Sequence, residues 1–266
     1  MTKSISKWKK IYEKIFCYAL VFVISPCFFL FEMSIVRPVI AKIYNFGPTK
    51  YTFHTIFPIF LFINIVGNMI MSIQTDTSLK KSVKSGNYCE KCNMDRPEKA
   101  WHCSFCNVCI LRRDHHCFFL SRCIGLKNLR YFILYLGYIF VSLIYSTYYN
   151  FYYIASKFDD DMCLSVLRII NPFLRYMISE PLGMRDLYVF FLFLNMGLVL
   201  WTGVLFSFHI RNVLYGVTAR ESEERRPMDW RTKKLNFIRV FGFKWYLAIV
   251  WPFADSPLPS SDIKSN

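Results

Sequence analysis

The sequence predicts an all-α polytopic membrane protein, with four transmembrane helices and a small, loop-rich, cysteine-rich domain on the cytosolic face. Three observations carry that expectation. The chain of 266 residues is 54% hydrophobic and 19% aromatic with a formal net charge of +15, a composition foreign to an ordinary soluble domain. Four stretches are long and apolar enough to cross a hydrocarbon core of about 30 Å, which needs roughly 20 helical residues. Between the second and third lies a polar insert into which seven of the ten cysteines crowd.

The elements follow in order. A basic head over 1–14 carries Lys3, Lys7, Lys9, Lys10 and Lys14 and leads into the first span, Ile15 to Val36. A cleaved signal peptide shares a basic head and an apolar core. This run is long for a signal core, and no small-x-small cleavage site follows it, so a retained helix is expected. The second span runs from Thr52 to Ile73, the third from Tyr131 to Ile154 and the fourth from Leu187 to His209. Pro26, Glu32, Pro58, Asn64, Asn68, Asn150 and Asn195 interrupt these runs; such groups are tolerated where they face other helices. The insert covers 74–130, a lumenal connection 155–186, and a cytosolic tail 210–266.

Lys and Arg near the span ends set orientation. The head, the insert and the tail are rich in them, whereas the connection mixes Lys157, Arg168, Arg175 and Arg185 with Asp159, Asp160, Asp161, Glu180 and Asp186. Both termini and the insert are therefore expected in the cytosol. The positive charge reads as this topology plus attraction to anionic lipid, with the bilayer as partner and no nucleic acid. In the tail, "KWYLAIVWPF" is too short to span and reads as an interfacial or re-entrant segment near 243–253. "DSPLPSSDIKSN" is expected to be disordered. No internal repeat or low-complexity tract is apparent.

Cysteines facing the cytosol are kept reduced, so they do not form a disulfide framework. Cys17, Cys27 and Cys163 read as small buried hydrophobes. The insert cannot bury enough apolar surface to fold unaided. It carries Cys89-x2-Cys92, His102-Cys103-x2-Cys106-x2-Cys109 and His115-His116-Cys117-x5-Cys123. Thiols two residues apart present both sulfurs to one tetrahedral ion, and structural zinc takes four such ligands. Two zincs use eight of the ten groups. Adjacent His115 and His116 point to opposite sides and so do not serve the same ion. If one is free, the spare thiol beside it is Cys117, and a free Cys next to a free His is a nucleophile and its base. Arg112, Arg113 and Arg122 supply a cationic field that favours the thiolate, and Asp114 is placed to orient the imidazole. The competing reading makes Cys117 one more structural ligand.

The run Cys89-x2-Cys92-x3-Arg96-Pro97-x-Lys99-x2-His102-Cys103-x2-Cys106-x2-Cys109-x4-Asp114-His115-His116-Cys117-x5-Cys123-x4-Asn128-x3-Phe132 resembles the cysteine-rich domain of the DHHC protein S-acyltransferases. The four-span layout and the tail segment Asn236-x3-Val240-Phe241-Gly242 resemble that family too. The resemblance implies one zinc on Cys89, Cys92, His102 and Cys109 and another on Cys103, Cys106, His116 and Cys123. It makes Cys117 the acyl-accepting nucleophile, His115 its base and Asp114 the orienting carboxylate. It implies acyl transfer from palmitoyl-CoA to membrane-proximal cytosolic cysteines of substrate proteins, in an endomembrane (Golgi or ER) ahead of the plasma membrane. Arg113, Arg122 and Lys127 are candidates for the CoA phosphates, and surface charge is the rival reading. Tyr135, Tyr138 and Trp201 are candidates for an acyl pocket, against helix packing or interfacial anchoring.

Three positions depart from the family pattern. "TARE" at Thr218, Ala219, Arg220 and Glu221 stands where the family has Thr-Thr-x-Glu, so Ala219 lacks a hydroxyl. Lys99 replaces an Arg, and Phe118 and Phe119 replace Pro-Trp. A membrane ubiquitin ligase is disfavoured because the run from His102 to Cys109 is too tight for RING spacing. An inactive zinc-stabilised scaffold is the remaining alternative.

Overall fold

The computed structural model describes residues 2–82, 86–157, 166, 183–224 and 226–259. Cys163 and most of the connection expected over 155–186 lie outside the described residues. Among the described residues, four helices are long and apolar enough to cross a membrane: Trp8–Ile43, Pro48–Gln74, Leu129–Lys157 and Met184–Leu214. The first comprises α1 (Thr2–Ala19), α2 (Ser25–Phe31) and α3 (Arg37–Ile43), joined by π-helical turns at Leu20–Ile24 and Glu32–Val36. Each turn immediately precedes an X-Pro step, Ser25-Pro26 and Arg37-Pro38. A proline lacks the N–H and crowds the carbonyl four residues back. The wider turn makes room: Ser25 N–H bonds to Leu20 O and Arg37 N–H to Glu32 O, each five residues back. The others are α4 (Pro48–Gln74), α5 (Leu129–Lys157) and α6 (Met184–Leu214). All four run past the apolar stretches, and α1 takes in the basic head. Hydropathy marks only the dry part of a helix, whereas backbone bonding continues beyond it.

The chain forms two compact units. One comprises Pro26–Phe62 and Gly137–Val204 and is built on Val36, Ile40, Tyr153, Ile154, Val189 and Leu192. The polar residues of its spans satisfy one another. Ser146 Oγ donates to Glu32 Oε1 at 2.7 Å, Asn150 Nδ2 donates to the same oxygen, and Asn195 Nδ2 donates to Ser146 Oγ at 3.1 Å. His54 Nδ1 lies 2.7 Å from the Tyr145 hydroxyl. Pairing of this kind lets polar groups sit in an apolar span.

The other unit comprises Met1–Ser25, Ile63–Leu136 and Leu205–Asn266. Its described strands are all short and form three antiparallel hairpins: β1 (Tyr88–Cys89) with β2 (Met94–Asp95), β3 (Trp101–Cys103) with β4 (Val108–Ile110), and β5 (His115–Cys117) with β6 (Arg122–Ile124). The hairpins correct the expectation that the chain has no internal repeat. Cys89, Cys103 and Cys117 recur every 14 residues and pair with Met94, Val108 and Arg122 in the same register. Each turn holds one left-handed non-glycine residue at the same repeat position: Asn93, Asn107 and Ser121.

Asn128, fully buried, ties the hairpins to the helices. Its Oδ1 accepts Gly125 N–H at 2.9 Å, and its Nδ2 donates to Ser72 O at 3.1 Å and Cys123 O at 3.0 Å. Gly125 allows that closeness, since a Cβ there would fall 2.7 Å from both Leu111 O and Thr77 Oγ1.

The tail forms a 3₁₀ turn (Ala219–Glu224), α7 (Trp230–Phe241) and α8 (Trp245–Val250). Asn236, Val240 and Phe241 are buried, and Asn236 Nδ2 donates to Leu214 O at 3.1 Å. Gly242, at φ 82, ends α7 against Ser256. The expected disorder from Asp255 is overturned as far as residue 259. Ser256 Oγ donates to Phe241 O at 2.7 Å and accepts Lys244 N–H at 3.1 Å, Arg130 donates to Ser256 O, and Leu258 packs on Ala100, Leu111 and Leu126.

Candidate metal centres and catalytic triad

The structure gathers the ten cysteine and histidine groups of the insert into two sets of four and a remainder. Cys89, Cys92, His102 and Cys109 converge in one set, Cys103, Cys106, His116 and Cys123 in the other. In the first, His102 Nδ1 lies 3.8 Å from Cys89 Sγ and 3.2 Å from Cys92 Sγ, with Cys109 Sγ 3.7 Å from Cys92 Sγ. In the second, His116 Nδ1 lies 3.8, 3.4 and 3.6 Å from the sulfurs of Cys103, Cys106 and Cys123, and Cys106 and Cys123 are 3.5 Å apart. A tetrahedral zinc with bonds of about 2.3 Å to sulfur and about 2.0 Å to nitrogen separates sulfurs by about 3.8 Å and sulfur from nitrogen by about 3.6 Å. The donors therefore fit zinc in both type and spacing. Four protein ligands close the shell and leave no position for substrate.

The repeat explains the division. Each set takes its paired thiols from one hairpin turn and its His and remaining Cys from the strands of the next hairpin. The third turn begins at Cys117, but Leu120 stands where Cys92 and Cys106 stand in the others. Cys117 is thus left outside both sets.

His115 and Asp114 remain with Cys117. Asp114 is 6% exposed, and its Oδ2 lies 2.8 Å from His115 Nδ1. That contact commits Nδ1 as the donor, and the Cys117 thiol lies near enough to His115 to favour the charged ring. Burial disfavours charge on both members of the pair, but their mutual attraction wins. It holds the Asp114 carboxyl below the usual carboxylate range and, with Cys117, lifts His115 to about 9.

A second imidazole, His209 of α6, stands 3.5 Å from the same Asp114 oxygen, and its ring lies 5.4 Å from that of His115. Sequence reasoning used His209 only to mark the end of a span; its signal was a titratable group on an apolar helix. Glu13, an acidic residue in the basic head, lies 3.0 Å from His116 Nε2.

The tail reaches this site through its backbone. Ala219 N–H donates to Asp114 Oδ1 at 2.6 Å, so the missing hydroxyl does not break the tie. Glu221 Oε2 accepts Thr218 N–H at 3.1 Å, the backward half of a capping box that fixes the turn. Arg112 donates to Gly216 O at 2.9 Å.

Residues 82–226, more than half of the chain, match the family described as DHHC palmitoyltransferase. The chain belongs to the DHHC palmitoyltransferase family. No curated protein matches it. Asp114, His115, His116 and Cys117 are consecutive; His116 falls in the second set of four, and Asp114, His115 and Cys117 stand outside both sets. Of the departures from the family pattern, Ala219 meets Asp114 through its backbone and the other two sit at the edge. Lys99 is exposed, and Phe118 and Phe119 face outward with ring centroids 5.5 and 5.8 Å from that of Phe16. Of the residues expected at the CoA phosphates, Arg122 is exposed and Lys127 half-buried, while an Arg113 nitrogen lies 3.9 Å from Cys103 Sγ. Trp201, expected as a pocket residue, is 58% exposed, and Tyr138 packs edge-on against Phe60.

Proposed function

We propose that this DHHC palmitoyltransferase family member is an active protein S-palmitoyltransferase that carries the acyl group on Cys117. The observation that carries the reading is the Asp114–His115 contact of 2.8 Å beside a buried thiol that neither metal set uses. His115 takes the Cys117 proton, and the thiolate attacks the thioester carbonyl of palmitoyl-CoA. CoA leaves as the thiol with the proton returned by His115. A substrate cysteine then gives its proton to His115 and attacks the acyl-Cys117 thioester, and Cys117 departs and is reprotonated. Asp114 orients the imidazole and stabilises its charged form throughout.

Two zincs, on Cys89, Cys92, His102 and Cys109 and on Cys103, Cys106, His116 and Cys123, would supply structure only. Arg122 and Lys127 are available to the CoA phosphates; Arg113 divides its charge with the thiols beside it. Each methylene removed from water contributes about 0.8 kcal/mol, so holding a palmitoyl chain calls for a site at the bilayer. The distribution of Lys and Arg supports a cytosolic site and termini; an endomembrane (Golgi or ER) and substrate cysteines close to the membrane are part of the same proposal and rest on the family resemblance.

The test is labelling of purified protein with a clickable palmitoyl-CoA. Wild type should take up label that neutral hydroxylamine releases, and Cys117→Ser should take up none. An unlabelled wild type that holds two zincs would leave the inactive scaffold.

A further inference from the structure

The two metal sets differ in what stands behind their histidines. In the second set, His116 Nδ1 faces the three thiols, which turns its Nε2 outward to Glu13 Oε2 at 3.0 Å. Glu13 belongs to α1 and lies in the segment that reads as a basic head. Its side chain is only 3% exposed, and that of His116 is 12% exposed. The helix around it continues the same contact: the Phe105 ring stacks on His116 at 4.9 Å, and Lys9 Nζ lies 4.6 Å over Phe105. In the first set, the outward nitrogen of His102 is buried with no side-chain or backbone partner among the described residues.

A buried carboxylate is costly unless it is paired and hydrogen-bonded, and a histidine that binds metal through one nitrogen commonly donates from the other to a carboxylate. That bond fixes the tautomer with Nδ1 free for the metal, aims the ring and raises its basicity. We infer that Glu13 is the positioning residue of the second metal site: the first transmembrane helix reaches into the cysteine-rich domain and holds His116 on its zinc, with no counterpart at the first site. The inference rests on reading Cys103, Cys106, His116 and Cys123 as a zinc set. It adds a structural link from the first helix to the strand that carries His115 and Cys117, because His116 stands between them.

The test is Glu13→Gln in the full chain purified in detergent, which keeps the side chain's size and removes its charge. Zinc per chain is measured before and after a chelator challenge just mild enough for wild type to keep both ions. Thiols exposed during the challenge are trapped with N-ethylmaleimide and mapped by mass spectrometry. Loss of a carboxylate behind a metal-bound histidine lowers affinity about 10- to 100-fold. The variant should therefore fall towards one zinc, with Cys103, Cys106 and Cys123 labelled while Cys89, Cys92 and Cys109 stay protected. Equal protection of both sets in variant and wild type overturns the inference. Equal loss from both sets also overturns it, because Glu13 would then support the fold at large. A wild type without two zincs fails the metal reading itself, before the variant is compared.

Discussion

Ala219 offers the sharpest test of how the tail supports the triad. It occupies the first helical position after Thr218, where proline is well accommodated because that N–H has no partner within the turn. The residue before it is a capping residue, a position whose usual backbone region is the extended one that proline demands. Ala219→Pro therefore keeps the turn, and the Thr218 N–H bond to Glu221, while deleting the one N–H that reaches Asp114 Oδ1 at 2.6 Å. A hydrogen bond to a charged group contributes about 1.5–3 kcal/mol. If Asp114 gives up that share of its support for the imidazolium, self-acylation of Cys117 slows about 10- to 100-fold. Ala219→Thr restores the hydroxyl of the family pattern but leaves the backbone donor as it is, so its rate should stay within about threefold of wild type. The assay is single-turnover acylation with fluorescent palmitoyl-CoA, with zinc content measured in parallel. A near-wild-type rate in the proline variant would show that the backbone bond does not support the triad, and a large gain in the threonine variant would show that a hydroxyl adds support the backbone does not supply.

Other outcomes follow from the same geometry. Asp114→Asn places an amide N–H against His115 Nδ1 and reverses the tautomer. Two charge-assisted bonds at about 2 kcal/mol each give a fall of about a thousandfold in acylation, read by the same assay with both zincs retained. A fall of less than tenfold would remove Asp114 from the mechanism. Gly125→Ala forces a Cβ against Leu111 O and Thr77 Oγ1, and overpacking of this kind costs about 1–3 kcal/mol, seen as a lower midpoint in thermal unfolding in detergent. An unchanged midpoint would mean that the hairpins float free of the helices. Stripping zinc with a strong chelator should make residues 86–127 the first site of proteolysis, since strands of two or three residues do not hold together without their ions. Persistent protection of that segment after complete metal loss would refute the stapling argument.

The four spans are legible in the sequence because hydropathy is a property of local composition, and the metal ligands are legible because a paired-thiol turn is a local motif. What escaped depends on contacts between distant segments. Ser256 lies in a short polar, proline-containing stretch that reads as disordered, yet it is held by Phe241, Lys244 and Arg130. Glu13 is lost among the lysines of the basic head and His209 at the end of an apolar span whose average it barely moves, although each meets a residue of the Asp114–Cys117 stretch. Ala219 looked like a lost contact because sequence shows side chains, and the donor is the backbone.

The repeat was hidden for a different reason, and it bears on how a metal domain comes to hold a nucleophile. Only the ligand positions and the turn residue recur; the residues between them do not. Each set of four joins the turn of one hairpin to the strands of the next, so three hairpins make two sites that could hold metal. At the leading end, Tyr88 and Asp95 occupy the places that His102 and Cys109 fill one repeat later, and among the described residues no earlier hairpin turn stands ready for them to serve. At the trailing end, among the described residues, the third turn has no fourth hairpin to join. Its second thiol position is Leu120, 1% exposed, and its first is Cys117. A thiol left at that place keeps the rigid setting of a metal ligand without a metal, and its neighbour His116 is fixed by the second site. Restraint of this kind holds His115 on the opposite side of the same strand, towards Asp114. The surplus thiol then follows from the arithmetic of the repeat, and on the function proposed above the two ions would bear on catalysis only through the position they give to that strand.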